Sequence, residues 1–176
     1  MITKDQLIAS MRHETHIIRH LGAKVTADML DYRPSENQRS MLELLRYMTR
    51  MAAAPALFTV TGSWEAGEKM DEEAGNVTLE TFDAEVERQL AIIEDALADL
   101  DETAATTAPS TMPWGAPTTQ SAGLMDMPLK VLVAYRMQLF LYLKACGVTD
   151  IGPANCWAGV DLPAAPPEDA GDSSTA

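Results

Sequence analysis

The chain has few cysteines, few bases and no long apolar run, and each shortage removes a class of protein. Only Cys146 and Cys156 are present among 176 residues, ten positions apart. With no secretion signal, that pair predicts no structural disulfide, and two lone thiols fall short of a zinc site. No stretch approaches the ~18 apolar residues of a membrane span, and Met-Ile-Thr-Lys-Asp-Gln at the start has no signal-peptide core. The expectation is a soluble cytoplasmic protein. Thirteen Lys and Arg face 26 Asp and Glu, a net charge of −13 that repels phosphate backbones and anionic lipid. Nucleic acid and membrane are therefore not expected as partners. Also missing are a Gly-x-Ser-x-Gly elbow, a phosphate-binding glycine loop and a dinucleotide fingerprint.

What is present is helical periodicity. Leu7, Met11, Ile18, Leu21 and Val25 alternate gaps of three and four, predicting a first helix from about Thr3 to Asp28. Asp31 to Asn37 is a turn. Ser40-Met-Leu-Glu43 is a capping box opening a second helix that runs to about Thr59, with Pro55 a kink or early stop. Residues Thr61 to Val77 read as a loop. A third helix, with stripe Phe82, Val86, Ile93, Ala96 and Leu100, follows a Thr78 cap and ends near Asp101. After the Ala/Thr/Pro stretch Thr103–Pro117, a fourth helix starts near Pro128, capped by Asp126, and stops at Gly147. The fold class is all-α, a four-helix bundle whose long second and third connections allow crossovers. One domain over residues 1–162 and a disordered tail over 163–176 complete the expected organisation.

Every stripe is interrupted by a polar residue. Glu14 sits in the first, Gln89 in the third, Tyr135 and Gln138 in the fourth, and Tyr47 at the edge of the second. An inward carboxylate must find donors or take up a proton, and Tyr47, Tyr135, Gln89, Gln138 and Arg136 are the candidates. Two readings are open: a hydrogen-bonded network that fixes the bundle, or a ligand pocket around Glu14, Tyr47, Gln89, Tyr135 and Gln138 with acid–base capacity. His13, His16 and His20 project opposite the apolar stripe and read as a surface cluster. Trp64, Trp114 and Trp157 fall outside the helices, packing over bundle ends or lining a pocket mouth.

Tyr32-Arg33-Pro34-Ser35 and the run Arg39–Tyr47 resemble the turn and second helix of DinB/YfiT-like proteins. Ala134–Lys144 resembles their last helix, usually written His-Arg-x-Gln-Leu, and Asn155–Asp161 resembles the ending of one branch. The resemblance implies a four-helix bundle, often a homodimer, with a divalent metal on three histidines. Some relatives are transferases or isomerases dependent on bacillithiol, mycothiol or similar thiols. The three ligand positions here hold Tyr47, Val131 and Tyr135, so no metal cofactor is carried over. The expectation is a small-molecule binder with a polar cavity around Tyr47 and Tyr135. A non-catalytic dimerisation module is the alternative, and a metal- and thiol-dependent transferase, with metal held elsewhere as at His16 and His20, the weaker one.

Overall fold

Four packed helical arms form the body of this computed structural model, which describes residues 2–163. The first is α1 (Lys4–Gly22), closed at its start by a Thr3–Gln6 capping box. The second is broken into α2 (Met41–Met48) and α3 (Ala53–Thr61), and α2 opens on the expected Ser40–Glu43 box. The third is α5 (Phe82–Leu97). The fourth combines α7 (Gln120–Leu124), one π-helical turn (Met125–Leu129) and α8 (Lys130–Ala145). Between them lie α4 (Glu65–Ala74), α6 (Glu102–Ala105) and a hairpin of β1 (Pro109–Thr111) and β2 (Pro117–Thr119), and α9 (Pro153–Trp157) follows. No helix among the described residues is long and apolar enough to cross a membrane.

Leu7, Met11, Ile18, Leu21, Leu44, Leu45, Val86, Ile93, Leu132, Leu139 and Leu143 interlock in the centre, all buried as their periodicity requires. Both α1 and the α2–α3 arm pack on α5 and on the fourth arm. The first arm is thus diagonal to the second, and the third to the fourth. The crossing connections are therefore the first and third, whereas the second, long enough to allow a crossover, joins neighbours.

The break in the second arm comes before the proline, not at it. Pro55 has no N–H, so the Met51 carbonyl has no helical donor four residues on. The chain leaves the helix at Thr49 and re-enters at Ala53, which puts Pro55 in the tolerated first turn of α3. Gln89, buried on α5, fills the gap: its Oε1 accepts from Ala52 N at 2.8 Å and Ala53 N at 3.4 Å, and its Nε2 donates to Met48 O at 2.9 Å.

Other boundaries move for identifiable reasons. The first helix stops at Gly22, where an added Cβ would lie 2.3 Å from Phe82 Cε1, and a separate 3-10 turn covers Ala27–Met29. The third helix starts at Phe82, four residues after the expected Thr78 cap; Thr81 holds the N-cap position without a side-chain capping bond, and its Oγ1 instead accepts from Thr78 N at 3.0 Å. The segment read as a loop contains α4, whose buried Gly67 and Ala74 let it lie close on α3. The fourth arm begins at Gln120, eight residues before the expected start, because the wide π turn absorbs Pro128 and its missing N–H. Asp126 is not a cap and instead pairs with Lys130. Gly147 does end α8, at φ +90° in a Schellman motif, with Val148 N on Leu143 O and Gly147 N on Lys144 O, both 3.1 Å. The Ala/Thr/Pro stretch forms the hairpin, which turns through Gly115 at φ +87°. Of the expected tail, residues 164–176 lie outside the described residues.

Replacing Gln89 with methionine keeps the volume but strands two buried amides and a carbonyl at the break. The expected loss is roughly 2–4 kcal/mol, read from urea melts. A loss below about 0.5 kcal/mol would show that the break does not need the side chain.

Candidate functional site

The five polar residues that interrupt the stripes do not converge on one cavity. Gln89 is fully engaged at the second-arm break. Gln138 donates to Tyr142 Oη at 2.9 Å, and Tyr142 donates in turn to Arg39 O at 2.9 Å. Glu14 faces a different neighbour from the tyrosines. This corrects the expectation of a single pocket lined by Glu14, Tyr47, Gln89, Tyr135 and Gln138.

Glu14 and Arg136 form the charged heart of one seam. Glu14 Oε2 stands 2.5 Å from Arg136 Nε, with side chains 12% and 1% exposed. The N–H is not aimed along that line, so the two atoms pair as charges without forming a hydrogen bond. Arg136 Nη1 donates to the Cys156 carbonyl and lies 3.3 Å from Cys156 Sγ, while Trp157 covers the guanidinium at 4.9 Å. This seam is closed by α9 and the residues after it.

The three histidines hold that cover down. His13 Nε2 lies 2.9 Å from Trp157 O, and His16 Nε2 lies 3.1 Å from Gly159 O. A carbonyl only accepts, so both rings carry a proton on Nε2. His20 Nε2 lies 3.1 Å from Asn155 Nδ2, which also donates to Asp161 Oδ1 at 2.7 Å, and Lys24 meets the same carboxylate at 2.7 Å. Burial pushes the His20 imidazole below its usual range, against the pull of Asp161, which favours the neutral acceptor. Gly159, at φ +65°, has no Cβ to strike His16, which would sit 2.7 Å from it. The cluster expected at a bare surface is thus a docking strip for residues 155–161.

Tyr47 and Tyr135 meet on the other side of α8, where it packs on α2. Their rings are 4.8 Å apart and tilted by 51°. Both are half-buried, so Tyr135 lines a seam and does not point into the bundle centre, the place taken by Arg136. Arg39 lies over the Tyr47 ring at 4.0 Å and reaches within 6.0 Å of Tyr135; Arg50, paired with Asp71, lies 4.8 Å from Tyr47. Burial, and then the neighbouring phenol, push the Tyr47 hydroxyl above its usual value, and the two arginines oppose this only in part.

One turn along the same seam, an open cleft of about 440 Å³ is lined by Arg33, Glu36, Asn37, Gln38, Arg39, Glu43 and Gln138. Arg33 is spent on Glu43 at 2.9 Å and on the Gln38 carbonyl, and Glu43 also caps Ser40 N at 2.8 Å. Arg39 joins the cleft to the tyrosine pair. Neither arginine was among the expected pocket residues, because both lie in or beside the turn, where periodicity gives no direction.

The positions that correspond to a three-histidine metal site do not fit a divalent cation. Val131 offers no donor atom, the Tyr47 phenol is held in its neutral form, and two guanidinium groups crowd its ring. Among the described residues no group of three or more His, Cys, Asp or Glu side chains is placed to hold an ion.

Helical arms with a broken second member and polar side chains along their seams define an all-α bundle. More particularly, the chain has the fold of DinB-like proteins, as its sequence resemblance implied. It superposes on a DinB-like protein from Bacillus subtilis with a TM-score of 0.67 at 18% identity, covering 84% of this chain and 96% of the other. A putative DinB-family member from Exiguobacterium sibiricum gives 0.67 at 21%, covering 88% and 99%. A DinB-like protein from Bacillus cereus gives 0.65 at 16%, covering 86% and 97%. No family model and no curated protein matches the sequence.

Two measurements bear on these seams. Arg136→Met leaves the Glu14 carboxylate enclosed without its cation, at an expected cost of about 3–5 kcal/mol in urea melts, while a double change of Glu14 and Arg136 to apolar residues recovers most of it. If the double variant is as unstable as the single, packing and not charge is what Arg136 supplies. In an ultraviolet titration, Tyr47 should ionise above the ordinary phenol range. Because its folded value is raised, its contribution to stability is intact below about pH 10 and declines as pH climbs through the folded value. Tyr47→Phe should remove that late-titrating phenol; an unchanged titration would place the perturbed group elsewhere.

Proposed function

We propose that this chain is a metal-independent DinB-fold protein that binds a small molecule in the cleft between the turn before α2 and the face of α8. The observation that carries this reading is Arg39, held over Tyr47 at 4.0 Å on the rim of a 440 Å³ cleft. The cleft has the size of a small-ligand site and polar groups of both signs, although it is shallower and less apolar than most. Glu14 and Gln89 serve structure under this reading, and Tyr47, Tyr135 and Gln138 form the floor beside the ligand.

Nothing in the seam is arranged for nucleophilic attack. Cys146 is half-buried near the end of α8, where burial raises its thiol, and Cys156 is buried on the inner face of α9. Thiol-dependent group transfer through a bound metal has no donor set at the corresponding positions, so binding is the better-supported role.

Crystals of untagged protein soaked with a library of neutral and charged fragments provide the test, together with elemental analysis of the same preparation. Fragments should gather in the Arg39–Gln138 cleft, and zinc, nickel and iron should stay well below one per chain. A cleft that stays empty while fragments bind elsewhere would sink the assignment of the site, and stoichiometric metal would sink the metal-independent part.

A further inference from the structure

We infer that the ligand carries an oxyanion, a carboxylate or a phosphate, and that Arg39 is its anchor. This rests on the cleft being the binding site. Every other arginine in the described chain has an acceptor. Arg12, Arg19, Arg33, Arg50, Arg88 and Arg136 each pair with a carboxylate, and Arg46 donates to the Val77 carbonyl at 3.0 Å. Among the described residues Arg39 pairs with none, in a chain whose 26 acids outnumber its 13 bases two to one. Its contact with Tyr47, and more distantly with Tyr135, is a cation–π contact, which consumes none of its five N–H donors.

The residue is also held ready. Its carbonyl accepts from Tyr142 Oη, and the Tyr142 ring meets Tyr32 edge-on at 5.4 Å. Tyr32 O accepts from Met41 N at 2.8 Å, and Ser40, the next residue, is the N-cap of α2. The backbone on both sides of Arg39 is therefore tied to helices, and the side chain is tied to an aromatic floor. A guanidinium fixed with a free fork fits the two oxygens of a carboxylate or phosphate, with little ordering left to do on binding.

The rest of the lining narrows the ligand further. Arg33 and Glu43 cancel each other, which leaves Glu36 as the uncompensated carboxylate on the lip. A group bearing one negative charge meets less repulsion there than a polyanion. The Asn37 side chain also borders the cleft and makes no other hydrogen bond among the described residues, so its amide is free for a second polar group of the ligand.

Nitrogen-15 NMR of the arginine Nε–Hε groups tests this with three probes of one shape: benzoate, phenyl phosphate and the neutral benzamide. Inorganic phosphate and acetate serve as the bare anions. The Arg39 signal should move on addition of benzoate or phenyl phosphate, whichever saturates at the lower concentration naming the preferred headgroup, and should stay in place with benzamide. Arg39→Gln should weaken binding of the preferred probe about tenfold or more, and Arg39→Lys by less. Lys144→Gln, a change at the far end of α8, should bind as the wild type does. Melting curves of the Arg39 variants should stay close to the wild type, since the side chain is exposed and gives up only its contact with the tyrosine rings. If benzamide binds in the cleft as tightly as benzoate and Arg39→Gln changes neither, the anion inference is wrong while the cleft remains the site. If no probe moves any cleft resonance, both readings fail together.

Discussion

A buried guanidinium has to be surrounded before it can be tolerated, and Arg136 sets that condition for the whole C-terminal half of the molecule. An isolated charge in the interior costs several kcal/mol, which only close partners offset. Those partners come from three places: Glu14 on α1, the Cys156 carbonyl, and the face of Trp157. The first helix, the last bundle helix and the segment beyond it are therefore bound into one charge-neutral joint. The histidines of α1 then fasten the same segment along its length, so one face of α1 is given over to holding the chain's final described turn.

Helix existence and core composition could be read from spacing, while the positions of helix interruptions could not. The stripe from Leu7 to Leu21 and the row Leu132, Leu139, Leu143 are buried where their periodicity put them. The capping box at Ser40 and the stop at Gly147 were also visible, because each depends on residues adjacent in sequence. Pro55 signalled a break in the second helix, but its place at Thr49–Ala52 was hidden because the side chain that stabilises it, Gln89, lies on another helix 37 positions from Ala52. Likewise, Pro128 looked like a helix start only because a π turn cannot be recognised from composition. The acidic α4 was missed for a related reason: it buries glycine and alanine, which carry little periodic signal.

The polar residues on the stripes show where a one-dimensional pattern loses direction. Periodicity placed Glu14 inward correctly and named Arg136 among its partners, but it could not tell which neighbour each residue would face. Residues 135 and 136 are consecutive on α8 yet serve opposite seams, one aromatic and half-wet, the other charged and closed. Glutamines that looked like parts of one polar centre are each committed locally, one to a helix break and one to a tyrosine. The cleft between the turn and α8 lies instead on the α2–α8 seam, where the tyrosine pair and Arg39 stand. Arg39 belongs to the turn and not to any stripe, so only three dimensions could bring it to Tyr47.

The joint at Arg136 also makes the last described segment a structural part of the bundle. Without residues 153–161 the guanidinium would keep Glu14 alone as its partner, water would enter the groove between α1 and α8, and the imidazoles of α1 would lose the groups they hold. A proteolytic cut before Pro153 would therefore be felt at the buried middle of α8 and not only at the edge of the molecule.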